Sequence, residues 1–358
     1  MMDVITICTH CGVIIETDDF HRLENAILCE DCYENHTFIC SHCAERVYEE
    51  NNSGTSDYPL CSYCYNEYYT VCEDCGRIIN FEDSYQLGDY DYCCECHSRR
   101  TNRPIHDYNY KPEPIFYGEG SRYLGVELEI DYGGEYTESA EQILDTANSS
   151  ADHIYIKHDG SLEEGLEIVT HPMTLDYHMH NMNWADITRT ALSLDYLSHK
   201  TSTCGLHVHV NRSSLAREYF DQERVVGNIL YLVEKFWDKL LVFSRRTEEQ
   251  LNRWASRYGY KNSPKDVYKG AKESYSGRYK CVNIQNSETV EFRIFRGTLK
   301  TNTIIATLQM VNEICNVAVS LSETELQELT WNGFIEMIMH NRELSEYLNE
   351  RCLAEVNV

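Results

Sequence analysis

Lysine is absent from the first 97 residues, where only Arg22, Arg46 and Arg77 stand against 20 Asp and Glu. Affinity for nucleic acid rests on Lys and Arg neutralising phosphates, so this stretch would be repelled by a phosphate backbone. The full chain of 358 residues is acidic as well, with a formal net charge of -27. Long apolar runs are also missing, and none approaches the 18 or more residues of a membrane helix. Residues 1–8 (MMDVITIC) show no basic stretch followed by an apolar one, so no signal peptide is expected and the expected compartment is the cytoplasm. Proline is scarce: three of the six, Pro104, Pro112 and Pro114, fall within residues 97–117. Their fixed φ and missing N–H predict an extended linker over 98–117.

Cysteine is abundant instead, and 13 of the 17 precede residue 97. Cys8-x₂-Cys11 is followed after 17 residues by Cys29-x₂-Cys32, and the same spacing recurs in Cys40, Cys43, Cys61, Cys64 and in Cys72, Cys75, Cys93, Cys96. A fixed period of 32 residues marks tandem copies of one structural unit, at about 5–36, 37–68 and 69–97. Four sulfurs in two knuckles suit a closed, tetrahedral, structural Zn²⁺ site. A disulfide framework is the competing reading, but it belongs to secreted chains. Cys94 breaks the register and is the alternate to Cys93. His10, His42 and His97 lie in or beside knuckles already supplied with four sulfurs and are read as non-ligands. In spacing the modules resemble LIM-type and related treble-clef zinc ribbons, which implies interaction surfaces more often than catalysis.

From about residue 118 to 358, strand and helix patterns alternate. Residues 125–131 (GVELEID) would send Val126, Leu128 and Ile130 into a core and leave Glu127 and Glu129 together on the other face. The same division puts Glu167 on a strand at 165–169, His207 and His209 on one at 204–211, and Glu291 with Arg293 on one at 289–296. A shorter strand is expected at 280–285. Ordinary solvent faces would be dominated by Lys, Thr, Ser and Gln, whereas these carry carboxylates, imidazoles and guanidinium. Asp159-Gly160 signals a turn between strands. Helices are expected over about 175–198, along the apolar stripe Val225–Leu241 pattern (residues 225–241), and near 303–320 and 324–340. Residues 245–280 hold ten Lys and Arg against four Asp and Glu, either a solvated basic face or a cover for an anionic ligand such as ATP. Cys204, at a strand start, is read as packing.

The ordered set G-x-E-x-E, D-G-S-L with G-x-E-I-V-T, G-x-H-V-H and E-F-R-I-F-R, over about residues 120–320, resembles the amidoligases of phages and bacteria. These are carboxylate–amine ligases related to glutamine synthetase and glutamate–cysteine ligase. The resemblance implies an α+β domain with a curved, mainly antiparallel sheet whose concave face binds ATP and two or three Mg²⁺ or Mn²⁺ ions. It implies that Glu129 and Glu167 hold the cation nearer the carboxylate substrate, with Glu163 or Glu164 as alternatives to Glu167. Glu127, Glu291 and His207 would hold the cation bridging the nucleotide phosphates, with His209 near the nucleotide. Arg293 and Arg296 would neutralise the transferring phosphoryl group, although Arg296 needs a bulge or strand end to share that face. Asp159 and Ser161 are candidate substrate or amine contacts. The expected function is ATP-dependent amide or isopeptide formation through an acyl phosphate, with the zinc modules recruiting a protein or peptide. A non-catalytic adaptor on a degenerate ligase scaffold and a metallohydrolase using His207 and His209 are the alternatives.

Overall fold

The computed structural model describes residues 6–15, 20–87, 89–101, 103–273 and 279–354. The chain divides into two compact units, Met1–Asn102 and Arg103–Val358.

In the first unit a repeat begins with a knuckle hairpin, such as Thr6–Ile7 with Ile14–Ile15 or Thr37–Ile39 with Arg46–Tyr48, and ends in a short helix. The helices are Glu30–Asn35, Ser62–Tyr68 and Cys94–Thr101. Cys29 and Cys61 are the residues just before the first two, in extended conformation, so the second Cys pair straddles a helix start. Each module buries little: Leu28 with Cys8 and Cys32; Phe38, Leu60 and Tyr69 with Cys40, Cys61 and Cys64; Tyr92 with Cys72, Cys93 and Cys96. Cores this small do not sustain a fold alone, so the thiols must be held by something stronger than apolar contact. Arg46 ties the first repeat to the second. It lies over the Tyr33 ring (4.2 Å to the centroid) and donates to the Tyr33 carbonyl (3.2 Å) and the Thr37 hydroxyl (2.8 Å).

The second unit is built on a seven-stranded sheet: β1 (Ile105–His106), β2 (Leu124–Ile130), β3 (Ile154–Lys157), β4 (Leu166–Thr170), β5 (Gly205–Asn211), β6 (Val282–Asn283) and β7 (Thr289–Arg296). Its order is β1-β3-β4-β2-β5-β7-β6, antiparallel throughout except for the β1–β3 pair, so the domain is α+β with a mainly antiparallel sheet. One face is apolar: Val126, Leu128 and Ile130 of β2, Leu206, Val208 and Val210 of β5, and Val290 and Phe292 of β7 are buried in one core. Helices Thr137–Ala147, Trp184–Ser193, Tyr219–Lys235 and Thr301–Ser320 contribute to the same core. Thr301–Ser320 is long and apolar enough to cross a membrane, and most of it is buried in this core.

Several boundaries differ from expectation for local reasons. The helix expected over 175–198 is two, Leu175–His180 and Trp184–Ser193, separated by Asn181 and Asn183, residues that compete with the helix for backbone bonds. The 225–241 stripe is split at Phe236 into Tyr219–Lys235 and Trp237–Ser244, and the last stretch into Glu323–Glu328 and Trp331–Ile338, where Thr330 caps Gly333 (3.1 Å). The strand at 280–285 shortens to β6. Within the span expected as a linker, 98–117, residues up to Thr101 are helical, and Ile105–His106 join the sheet directly after Pro104. An edge strand tolerates a proline at its start because no ladder bond is lost there.

Just past the end of β2 lies Asp131, fully buried, whose carboxylate accepts from the N–H groups of Tyr132 (2.9 Å), Glu163 (3.2 Å) and Glu164 (2.9 Å) and from the Thr203 hydroxyl (2.7 Å). Burial would raise its pKa, but these donors outweigh it and hold the carboxyl below the usual range. Asp131→Ala strands the donors and should cost about 3 kcal/mol in urea unfolding. The carboxylate's contribution is present above pH about 4 and is lost as the pH falls through the lower folded value. The variant should therefore show a flatter loss of stability under acid than the parent.

Candidate functional site

The second face of the sheet carries the polar row. Glu129 pairs in register with Glu167 of β4, and Glu167 with Lys157 of β3; Glu127 pairs with His207 of β5, and His209 with Glu291 of β7, which in turn faces Asn283 of β6. Period-2 geometry therefore aims all of these side chains to one side. Glu129, Glu167, His207 and Glu291 are buried and Glu127 is half-buried.

Glu127, His207 and Glu291 bring ligand atoms within 4.8 Å of one another. His207 Nδ1 lies 3.2 Å from Glu127 Oε2 and 3.7 Å from Glu291 Oε1, and its Nε2 lies 3.7 Å from Glu129 Oε1. His209 Nε2, a buried atom without a hydrogen-bond partner, stands 3.2 Å from Glu127 Oε1 and 4.0 Å from Glu291 Oε1. Burial would raise both carboxyls, but the histidines outweigh it: Glu127 is held well below the ordinary range, and Glu291, with Arg293 contributing, below it too. Glu167 goes the other way, pushed well up by burial and the Glu127 charge despite Lys157 at 2.8 Å. Four carboxylates and two imidazoles gathered on one face, three of them with ligand atoms within 4.8 Å of one another, offer a donor set that fits divalent cations.

The strand-end problem of Arg296 is solved by a bulge. β5 and β7 shift register between Leu206 and Val208, so Arg296 comes opposite Gly205 and shares the face of His207, Glu291 and Arg293. Arg293 bonds Glu291, and its Nε, like that of Arg296, has no partner. Glu163 and Glu164 are exposed and offer their backbone N–H groups to Asp131, leaving Glu167 as the carboxylate in the row. Asp159 and Ser161 form a turn, the Ser161 N–H donating to Asp159 Oδ1 (2.7 Å); among the described residues no hydrogen bond or ion pair links them to the row. Burial pushes the Cys204 thiol up to about 12, unsuited to nucleophilic work.

Four participants escaped the sequence reading. Tyr155 and Lys157 share the polar face by the same alternation, which I-Y-I-K displays. Asn283 donates to Glu291 Oε2 (2.9 Å). Arg246, buried, follows Arg245 in left-handed conformation, and burial lowers its pKa to about 10 while the Glu129 charge opposes. Gly205 makes room for it: a Cβ there would lie 2.4 Å from the Arg246 guanidinium and 2.6 Å from His207. Much of the remaining basic stretch is committed to structure, with Arg257 on Glu234 (2.9 Å) and Lys272 on Glu223 (3.1 Å). Its residues 274–278 lie outside the described residues.

In the first unit the thiols of Cys8, Cys11, Cys29 and Cys32, of Cys40, Cys43, Cys61 and Cys64, and of Cys72, Cys75, Cys93 and Cys96 each lie within 4.8 Å of one another. Cys11–Cys29 and Cys75–Cys93 are 3.8 Å apart, the edge of a tetrahedron with Zn–S bonds of about 2.3 Å. Burial would raise the Cys8, Cys40 and Cys72 thiols, but knuckle N–H groups outweigh it and bring each down to about 6, whereas burial and the neighbouring sulfurs push Cys32, Cys64 and Cys96 up, so the remaining thiols of each set ionise only when a cation's charge is present. The three clusters therefore fit zinc. Cys93 sits in the third cluster, while Cys94 opens the helix. His10 stacks on His36 (4.2 Å), His42 on Tyr68 (4.4 Å) and His97 on Tyr85 (5.1 Å). His10 and His36 also come within reach of Cys32, which already belongs to a four-thiol set.

Residues 144–315 match the family model described as "Putative amidoligase enzyme". The match covers somewhat under half of the chain and lies within the second unit, which is similar to that family over those residues. The match includes Glu167, His207, His209, Glu291, Arg293 and Arg296, whereas Glu127 and Glu129 precede it. No curated protein matches the chain. Among solved structures it is similar to a bifunctional glutathione synthetase from Pasteurella multocida, at 14% identity and TM-score 0.34 over 64% of this chain and 46% of that one. It is also similar to the complex between the prokaryotic ubiquitin-like protein Pup and its ligase PafA, at 9% identity and TM-score 0.32 over 64% and 58%. The chain spans about half the length of these proteins, and at such scores neither likeness bears on activity.

Metal analysis of the purified protein should return about three zinc ions per chain. Cys93→Ser should lose one of them and Cys94→Ser none; the reverse pattern would move the ligand to Cys94.

Proposed function

We propose that the second unit is an ATP-dependent ligase that joins a carboxylate to an amine through an acyl phosphate, and that the first unit recruits a protein or peptide substrate. The observation that carries this reading is the convergence of Glu127, His207 and Glu291 within 4.8 Å, on the same sheet face as Arg293 and Arg296. Carboxylates and imidazoles that gather cations, beside guanidinium groups with unpartnered nitrogens, suit phosphoryl transfer, which needs positioning and charge neutralisation more than a protein nucleophile.

Glu129 and Glu167 would hold a divalent cation at the acyl end, and Glu127, Glu291 and His207 one at the nucleotide phosphates. Bound there, such cations neutralise phosphate charge and orient the reacting oxygens. A carboxylate oxygen of the substrate attacks the γ-phosphorus of ATP, and the bond to the β-phosphate oxygen breaks to release ADP. Arg293 and Arg296 offset the charge on the transferring group. The amine nitrogen then attacks the acyl carbon, inorganic phosphate leaves carrying one former carboxylate oxygen, and the amine proton passes to solvent. Arg246, beside Glu129, adds a fixed positive charge at the acyl end, and buried Glu129 and Glu167 keep that end poor in water. The guanidinium of Arg293, on the same face as Glu291, suits an anionic phosphate better than the water of a hydrolytic His207–His209 zinc site.

Incubation with ATP, Mg²⁺, amines and ¹⁸O-labelled carboxylates should pass label into inorganic phosphate. Absence of nucleotide binding at millimolar ATP and Mg²⁺ would defeat the ligase reading. Glu127→Gln and Glu129→Gln should each lower turnover by about 100-fold or more, with Glu127→Gln weakening Mg²⁺–ATP binding the more, as titration calorimetry can show. Equal and negligible effects would return the pair to a bland acidic face.

A further inference from the structure

Lys157 stands apart from the other cations of the sheet because it is buried in the acidic row itself. Its Nζ lies 2.8 Å from Glu167 Oε2, and the two side chains are 9% and 4% exposed. The register is direct: Lys157 faces Glu167 across the β3–β4 pair, and Glu167 faces Glu129 across the β4–β2 pair. Opposed residues in a sheet have Cβ atoms about 5 Å apart, so Glu167 sits between an ammonium and a second carboxylate. Tyr108 closes the far side, with its ring 5.8 Å from the ammonium. The rest of the row has no lysine, and the other fixed charges beside it, Arg246, Arg293 and Arg296, come from a different loop and a different strand. One oxygen of Glu167, Oε2, is taken by the ammonium.

We propose that Lys157 is a positioning residue that takes the role of a divalent cation at the Glu167 edge of the site, holding one Glu167 oxygen and limiting the acyl end to a single ion shared with Glu129. This rests on the reading of the acidic face as a divalent-cation site and adds how many ions that face accepts. A flexible ammonium on a fixed strand supplies one positive charge permanently, where an exchangeable ion would supply two only when bound.

The test is Mn²⁺ binding to the zinc-loaded full chain, followed by electron paramagnetic resonance of free Mn²⁺ and by thermal melting with and without Mn²⁺. Lys157→Met should bind one more Mn²⁺ per chain than the parent. It should also melt lower without Mn²⁺ and recover a larger increment when the ion is added. Lys157→Arg, which keeps the charge, should bind the parental number, and Lys157→Met combined with Glu167→Gln should lose both the extra ion and the extra increment. If Lys157→Met does not fold without metal, refolding it in Mn²⁺ gives the same count, and the double variant, which leaves no buried charge unpaired there, remains measurable. Equal Mn²⁺ counts in the parent and Lys157→Met would overturn the proposal while leaving the ligase reading standing. No Mn²⁺ bound by the second unit of either protein would end both.

Discussion

Four carboxylates crowded on one buried face of a sheet are the constraint on which the second unit depends. Glu127, Glu129, Glu167 and Glu291 would repel one another and resist leaving water, and each unpaired buried charge costs several kcal/mol, on the order of what holds a whole domain together. The sheet answers with Lys157 at one edge, Arg293 and Arg246 at the other side, and His207 and His209 between. The opposite face is largely apolar and packs with the helices in one core, which holds the strands that carry the like charges together. An acidic face mounted on so firm a backing can hold cations in set positions, which is what phosphoryl and acyl transfer ask of a protein.

The first unit meets the opposite shortage. Its modules have too few apolar side chains to fold by burial, and the thiols themselves occupy the centre of each small core. A metal held by each thiol set would supply folding energy, since the site does not exist in the unfolded chain. The unit's surface is left free to be strongly acidic and rich in exposed aromatic and aliphatic side chains, among them Tyr63, Tyr90 and Ile14. A surface of that kind suits contact with another molecule better than chemistry.

Much of this could be read from local pattern. The face of β2 that carries Glu127 and Glu129 follows from alternation alone, and so do those of β5 and β7. Local pattern failed where a residue's neighbour lies far away in the chain. Lys157 looked like any strand lysine until β3 was placed beside β4. Arg246 belongs to no periodic segment, and the space it occupies is declared only by the missing side chain of Gly205. Helix ends were misjudged at Asn181, Phe236 and Thr330, because apolar periodicity continues across a break that capping and backbone bonds decide.

The three Cys₄ sets and the polar side of each site strand follow from local sequence alone. Both are short-range consequences of chain geometry: a knuckle closes over two intervening residues, and a strand alternates every second one. Long-range packing, by contrast, sets β2 between β4 and β5, so that Glu127 meets His207 while Glu129 meets Glu167. It also decided that a bulge turns Arg296 onto the site face and that Glu163 and Glu164 serve Asp131 through their backbone instead. Strand order and register are set by packing among segments distant in sequence, and no single stretch of residues contains that information.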